Sequence, residues 1–400
     1  MLNLTGGQVR DMSGLRHPRR WLGDQVGSSR FGRVAFCPAL VCVAVLSAGC
    51  DGQRRETSED QRPGFSKMLG PTSADATGKD FTDAKGRRWI AVGKVVPKEI
   101  NVAETEAHNT PAPPPPPETP LTLSVQELAE KLRPRRLVGG YEYRLEQPDF
   151  ELAEKILLRG KPPSTDSVRP SNVVRPSNVG EPRFFIIGVD DRVRVATPRF
   201  YPWSVNAYLS QTCTATMIGP NTALCAAHCF YQNGWIASRT ITFGADTDPP
   251  GPVAPFGSSL ADSVTLPGAW NNTEWDWDFA VLDYGTRNPG RATGWFGTAI
   301  NDGPFAPAES QWISGYPFDK PIPSQWLAGG NYTAAPGSRY EHNIDIINGD
   351  SGACAYNVDR RCTGIQSTHW TNPSRTWNEV RRWDSTTYNF FHANSNWPSQ

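Results

Sequence analysis

Residues 186–400 read as an all-β domain in which two small barrels bury the apolar side chains, behind a long polar preface. Three observations lead there. Short apolar or alternating runs recur at Trp203–Leu209, Thr240–Phe243, Ala280–Tyr284 and Thr363–Ser367. Gly, Pro, Asn and Asp separate them, as they do short strands joined by tight turns. Three residues able to share one chemistry, His228, Asp278 and Ser351, then fall on separate runs in that order.

The stretch Asn348-Gly349-Asp350-Ser351-Gly352-Ala353 carries the chemistry. Glycines on both sides of Ser351 permit backbone conformations closed to other residues, so the N–H groups of Gly349 and Ser351 can converge beside the hydroxyl. A developing oxyanion would be stabilised there. A serine alcohol is a weak nucleophile at neutral pH and needs a base oriented by a third group. His228, in Ala226-Ala227-His228-Cys229, supplies the base, and Asp278, opening Asp278-Phe279-Ala280-Val281-Leu282, the carboxylate; Asp276 is its near rival. The chain order His, Asp, Ser differs from that of an α/β-hydrolase, whose Gly-x-Ser-x-Gly elbow would also need glycine where Ala353 stands.

Ile186–Val195, Tyr201-Pro202-Trp203, Cys213–Pro220 and Ala226–Cys229 together resemble the glutamyl endopeptidase, or V8-like, branch of the trypsin-like serine proteases. The resemblance runs from about Ile186 to the C-terminus. It implies two six-stranded chymotrypsin-type barrels, His228 and Asp278 from the first, Ser351 from the second, and a secreted endopeptidase working through an acyl-enzyme. Ser385–Ala393 resembles the family's C-terminal helix, packed on the second barrel, with Tyr388, Phe390 and Phe391 in the core. Ser367 matches the serine that supports the triad aspartate, and Phe279–Leu282 favours Asp278 over Asp276.

By the same resemblance, Cys213 pairs with Cys229, and Cys354 with Cys362 across a hairpin behind the nucleophile, leaving Cys225 free on a buried strand. A pocket lined by Gly364–Trp370 places Gln366, Ser367, Thr368 and His369 at the substrate, with Asp345 at the position that selects Arg or Lys in trypsin. Glutamyl endopeptidases usually carry histidine where Gln366 stands. The preference for the residue before the cut is therefore open between Glu, Arg or Lys, and another class.

The rest of the chain reads as delivery. Forty basic and 40 acidic residues cancel, so net charge points to neither nucleic acid nor an anionic membrane. Cysteine and histidine spacing makes no metal set, no cofactor motif is present, and the expected partners are peptide or protein substrates of a monomer. Residues 1–50 read as an export leader: Arg30 and Arg33, an apolar run Val34–Leu46, then small residues. Cys50 resembles a lipoprotein attachment site, which would give a membrane tether.

Residues 51–185, with prolines dominating Pro111–Pro120, read as an extended propeptide or linker. Helix-like pieces interrupt it at Leu123–Leu132, with Ser124 as N-cap, and Asp149–Leu158. A tandem Val-Arg-Pro-Ser-Asn-Val repeat fills Val168–Val179, open to proteolysis. Arg136-Leu137-Val138-Gly139-Gly140 imitates a zymogen activation site but lies too far before His228. The mature start is placed near Ile186, where a freed amino group is expected to pair with Asp350. The competing readings are an inactive homologue kept as a binding module and a lipid-tethered surface protein.

Overall fold

The computed structural model describes residues 77–98, 123–159, 186–210, 213–236, 240–248, 251–303, 310–335, 337–371 and 376–395. The leader, Cys50, the Pro111–Pro120 run and the Val168–Val179 repeat lie outside these residues.

The preface contains more regular structure than its two helix-like pieces suggest. Strands β1 (Phe81–Thr82), β2 (Arg88–Lys94), β3 (Arg135–Val138) and β4 (Tyr141–Leu145) accompany helices α1 (Val125–Leu132) and α2 (Phe150–Arg159). Helix α1 starts in a reciprocal box: the Ser124 hydroxyl accepts from Glu127 N–H at 3.2 Å, and the Glu127 carboxylate accepts from Ser124 N–H at 2.9 Å. Asp149 does the same duty for α2, accepting from Leu152 N–H at 2.8 Å. Trp89, Val138, Tyr143 and Leu145 form a small core of their own. The zymogen-like stretch is an interior strand here, since β3 pairs with β4 on one side and with a barrel strand on the other.

Strand β5 (Val193–Arg194) leads into the first barrel, made of β6 (Asn206–Leu209), β7 (Cys213–Met217), β8 (Thr222–Cys225), β9 (Ile241–Phe243), β12 (Ser258–Ser259), β13 (Ser263–Leu266) and β14 (Ala280–Asp283), with a hairpin β10 (Asp246–Asp248) and β11 (Gly251–Val253). The sheet runs β13-β14-β8-β7-β6-β9-β12. Because β12 and β13 are successive parts of one bent stretch, this order closes into a six-membered ring. The bend leaves an edge of β13 open, and β3 pairs along it with Leu137 opposite Val264 and Arg136 opposite Thr265.

Leu128, Leu132, Leu137 and Ile156 from the preface thereby join the first barrel's core. Burying such a side chain is worth about 1.5–3 kcal/mol, ample to hold the preface in place.

After β15 (Gly297–Thr298), the second barrel comprises β16 (Ser310–Gly315), β17 (Trp326–Ala334), β18 (Arg339–His342), β19 (Cys354–Tyr356), β20 (Arg361–Thr371) and β21 (Thr376–Arg382). Its order, β20-β19-β16-β17-β18-β21 with β21 back on β20, is closed. The C-terminal helix spans Ser385–Asn394 and is capped by Asp384, which accepts from Thr387 N–H at 2.9 Å. Its packing corrects the expectation from resemblance: Phe390 and Phe391 lie 5.3 and 6.3 Å from Phe279 of the first barrel. Both rings are fully buried, and Phe391 also packs at 4.8 Å on Trp383, which follows the last strand of the second barrel.

Candidate active site

Two single turns carry the first barrel's functional side chains. Ala227–Cys229 forms a 3-10 turn after β8, and Trp275–Trp277 another just before Asp278. Asp278 is fully buried and accepts from three donors: His228 N–H at 2.8 Å, His228 Nδ1 at 2.8 Å and the Ser367 hydroxyl at 2.5 Å. A carboxylate oxygen only accepts, so Nδ1 carries the proton and Nε2 is left with a lone pair. Trp275 stands edge-on to the His228 ring at 6.1 Å and edge-on to Trp370 at 6.4 Å, walling one side of the imidazole. Asp276 is engaged elsewhere. It takes the Ser338 hydroxyl and lies 3.2 Å from Arg339 Nε, within ion-pair range although not aligned as a hydrogen bond.

The serine turn is built from the second barrel but fastened to the first. Ser351 C=O accepts from Thr214 N–H at 2.8 Å, and its oxygen is 3.9 Å from Cys229 Sγ, beside His228. Thr214 also donates its hydroxyl to Gly349 C=O at 2.8 Å while accepting from Tyr316 N–H at 3.0 Å. Gly349 has φ 107°, and a Cβ there would sit 2.2 Å from Tyr316 O. Gly352, at φ 84°, would place one 2.4 Å from Thr214 O. Glycine is required at both positions by conformation and by close approach. Asp350 N–H and Gly352 N–H are bonded to Ile347 O and Gln366 O, whereas the N–H groups of Gly349 and Ser351 meet no acceptor among the described residues. Nor does the Ser351 hydroxyl, so no hydrogen bond joins it to His228 Nε2 among the described residues.

Asp350 is buried, and desolvation pushes its carboxyl up to about 7 against the pull of Ile347 N–H and the Arg192 guanidinium. Its Oδ2 accepts from Ile347 N–H at 2.9 Å, tightening the same turn. Arg192 is itself held by Asp190 and Asp319 at 2.5–3.0 Å. In this chain the charge facing Asp350 is therefore Arg192. In this uncut chain, where residue 186 has no free amino group, the segment beginning at Ile186 is held by Asp345, whose carboxylate oxygens accept from Ile187 N–H at 2.7 Å and Asp191 N–H at 3.2 Å.

Asp345, expected at the substrate, is 4% exposed in the uncut chain and accepts there from its own backbone. Gln366, also expected at the substrate, is held similarly. Its amide donates to Thr368 O and Glu379 O, both at 3.3 Å, and its carbonyl faces His342 Nε2 at 3.0 Å. The side chain turns into the second barrel, and Ser367, the extra residue where β20's pairing with β21 shifts register between Gln366 and Thr368, reaches Asp278. Thr368 and His369 follow on β20 and are themselves largely buried.

His342, unnoticed in the sequence, accepts from Ile344 N–H at Nδ1, so it donates to Gln366 from Nε2. Burial holds it neutral, lowered to about 4. Thr214 also escaped sequence reasoning; only its place next to Cys213 hinted at proximity to the site.

Disulfides join Cys213 to Cys229 and Cys354 to Cys362, and Cys225 is buried outside both bridges with its Sγ 3.2 Å from Thr214 O. His228, Cys213 and Cys229 lie within 4.8 Å of one another. With both sulfurs in the disulfide, that trio offers no thiolate for a metal.

The family model for trypsin matches residues 191–379. Those residues are a trypsin-like domain. The domain is similar to a glutamyl endopeptidase of Bacillus licheniformis, 28% identical over 174 residues, covering 42% of this chain and 53% of that protein. An extracellular metalloprotease of Bacillus subtilis is 24% identical over 183 residues, covering 43% and 57%. The chain thus spans about half the length of the curated relatives it matches. Among solved structures, a Glu endopeptidase in complex with MPD is 26% identical, covers 52% of this chain and 98% of that one, and has a TM-score of 0.47. Within the trypsin-like domain, the buried aspartate, the histidine and the glycine-flanked serine are residue types that acyl transfer can use.

Proposed function

We propose that residues 186–400 are a serine endopeptidase that cleaves peptide bonds through His228, Asp278 and Ser351, made as an exported precursor. The observation that carries this reading is Asp278 gripping His228 Nδ1 at 2.8 Å while Ser351 sits in a turn whose two flanking N–H groups are unengaged among the described residues. His228 Nε2 takes the Ser351 proton as the hydroxyl oxygen attacks the substrate carbonyl. The C=O double bond becomes an oxyanion, stabilised by the N–H groups of Gly349 and Ser351. The imidazolium, steadied by Asp278, returns its proton to the departing amine, and the acyl-enzyme forms. Water repeats the sequence and releases the acid.

The likeness to a glutamyl endopeptidase supports cleavage after acidic residues. Asp345 speaks against selection of Arg or Lys, since its carboxylate is tied to Ile187 and Asp191 N–H groups rather than left as a free pocket charge. The test is mass spectrometry of a complex peptide mixture treated with processed protein, beside a Ser351→Ala control. Serine-dependent cuts after acidic residues are expected. No such cuts from folded, processed protein would mean the triad serves no hydrolysis.

A further inference from the structure

The preface touches both loops that carry the site's histidine and aspartate. On the His228 side, the Arg135 guanidinium lies 4.9 Å from the centre of the Tyr231 ring, and Lys98 N–H donates to Trp235 O at 2.9 Å. Tyr231 C=O accepts from the Trp270 indole at 2.9 Å, and Gln232 returns to His228 C=O at 3.1 Å.

On the Asp278 side, Ala269 N–H donates to Lys131 O at 3.0 Å, Lys131 Nζ pairs with Glu274 at 3.0 Å, and the same ammonium lies 5.8 Å over the Trp277 ring. Gly268 approaches α1 so closely that a Cβ would sit 2.4 Å from Arg133 O. At the far end, Lys85 Nζ donates to three carbonyls ending the C-terminal helix, those of His392, Ala393 and Ser395, at 2.8, 2.9 and 3.0 Å. These are the groups that a helix C-terminus leaves without intrahelical partners. Strand pairing, apolar burial and a borrowed helix cap join the preface to the barrels at three separate places. A segment destined to leave has little reason to complete another element's hydrogen bonding.

We propose that residues 77–98 and 123–159 stay docked on the trypsin-like domain after the chain is cut between residues 160 and 185, and brace the loops that position His228 and Asp278. The effect on turnover rests on the hydrolytic reading above; the docking does not. β3 completes the edge that the β12–β13 bend leaves open, and α1 backs the Trp270–Trp275–Trp277 loop. The piece is then a permanent second chain of the enzyme rather than a discarded propeptide.

The test begins with the full-length Ser351→Ala chain carrying a recognition sequence for a highly specific protease between residues 165 and 180. After cleavage, the two pieces are expected to co-elute in native size-exclusion chromatography and to part only in denaturant. Elution of the smaller piece by itself overturns the proposal. In the active chain cut at the same place, Gly268→Ala, which drives a Cβ into Arg133 O, is expected to release the piece. Lys85→Ala, far from both loops, weakens the same docking independently. Release should lower kcat about a hundredfold with KM nearly unchanged, as a misplacement of catalytic groups does. Release with unchanged kcat overturns the brace. Co-elution in a protein whose cut form hydrolyses no peptide leaves the docking standing and removes the hydrolytic reading instead.

Discussion

Ser367 donates its hydroxyl proton to Asp278 Oδ2 at 2.5 Å, and the same oxygen takes His228 Nδ1 at 2.8 Å. One carboxylate oxygen from the first barrel is thus shared between a histidine of that barrel and a serine of the second. Ser367→Ala should lower kcat by about ten- to a hundredfold, the worth of a hydrogen bond to a charged group, with little change in KM. Asp278→Asn should cost about ten-thousandfold, as tautomer loss does in the Ser-His-Asp template. Asp276→Asn should leave kcat per folded molecule largely intact and destabilise by about 1–2 kcal/mol, because Arg339 is 1% exposed and loses an ion partner. Steady-state kinetics with denaturant melts separates the three; a larger kcat loss in Asp276→Asn than in Asp278→Asn would reverse the assignment.

Thr214 links the barrels at the nucleophile, donating to Gly349 O and accepting from Tyr316 N–H. Thr214→Val keeps the shape and removes both bonds. The Gly349 peptide should lose its aim, lowering kcat by about tenfold or more, less than the roughly 100- to 1,000-fold that outright removal of an oxyanion donor costs. Circular dichroism should show an intact fold. Unchanged kcat would mean the glycine turn holds itself.

Two buried groups should tilt stability in opposite directions between about pH 4 and 7. Buried Asp350 keeps its proton up to about 7, whereas in the unfolded chain it is lost near pH 4. The folded state binds the extra proton between those values, so this contribution fades as pH rises through about 7. Buried His342 is neutral down to about 4, whereas the unfolded histidine takes a proton near pH 6.5. Its contribution is present above that value and is lost as pH falls toward about 4. The two slopes oppose one another over the same range, so denaturant midpoints between about pH 4 and 7 should rise with pH in Asp350→Asn, where His342 acts alone, and fall with pH in His342→Gln, where Asp350 acts alone. Parallel curves for variants and wild type would assign the pH dependence to other groups.

The Cys213–Cys229 bridge spans 16 residues and encloses Thr214 and β8. Replacing both cysteines by alanine should cost about 3 kcal/mol, the chain-entropy value for a loop near 15 residues. It should also lower activity, since Thr214 and His228 each adjoin one of its cysteines. Guanidinium melts and kcat measured on the same samples check both; loss of stability alone would show that Thr214 is held by β7 without the bridge.

Much of the site was legible because it is local. Gly349 and Gly352 are required by positive φ within one turn, His228 sits in a short segment between cysteines, and Asp278 opens an apolar strand; each leaves a mark a few residues long. Ser124 made α1 legible in the same way, while Glu127's part in the cap emerged only from the structure. The direction of a side chain on a long strand is different. Whether Gln366 or Ser367 faces the aspartate depends on β20's register against β19 and β21, and a slip of one residue would exchange them.

Composition, turn chemistry and the order His228, Asp278, Ser351 therefore determined the β class, the two-barrel plan and the three residues on which a function could rest. The tertiary structure alone decided that Asp345 holds the Ile187 segment, that Thr214 steadies the Gly349 peptide, that Phe390 and Phe391 pack on the first barrel, and that the preface pairs with β13. Each joins residues far apart in the chain. Such contacts are selected by packing and by the need to pair buried polar groups, neither of which leaves a pattern at one place in the sequence.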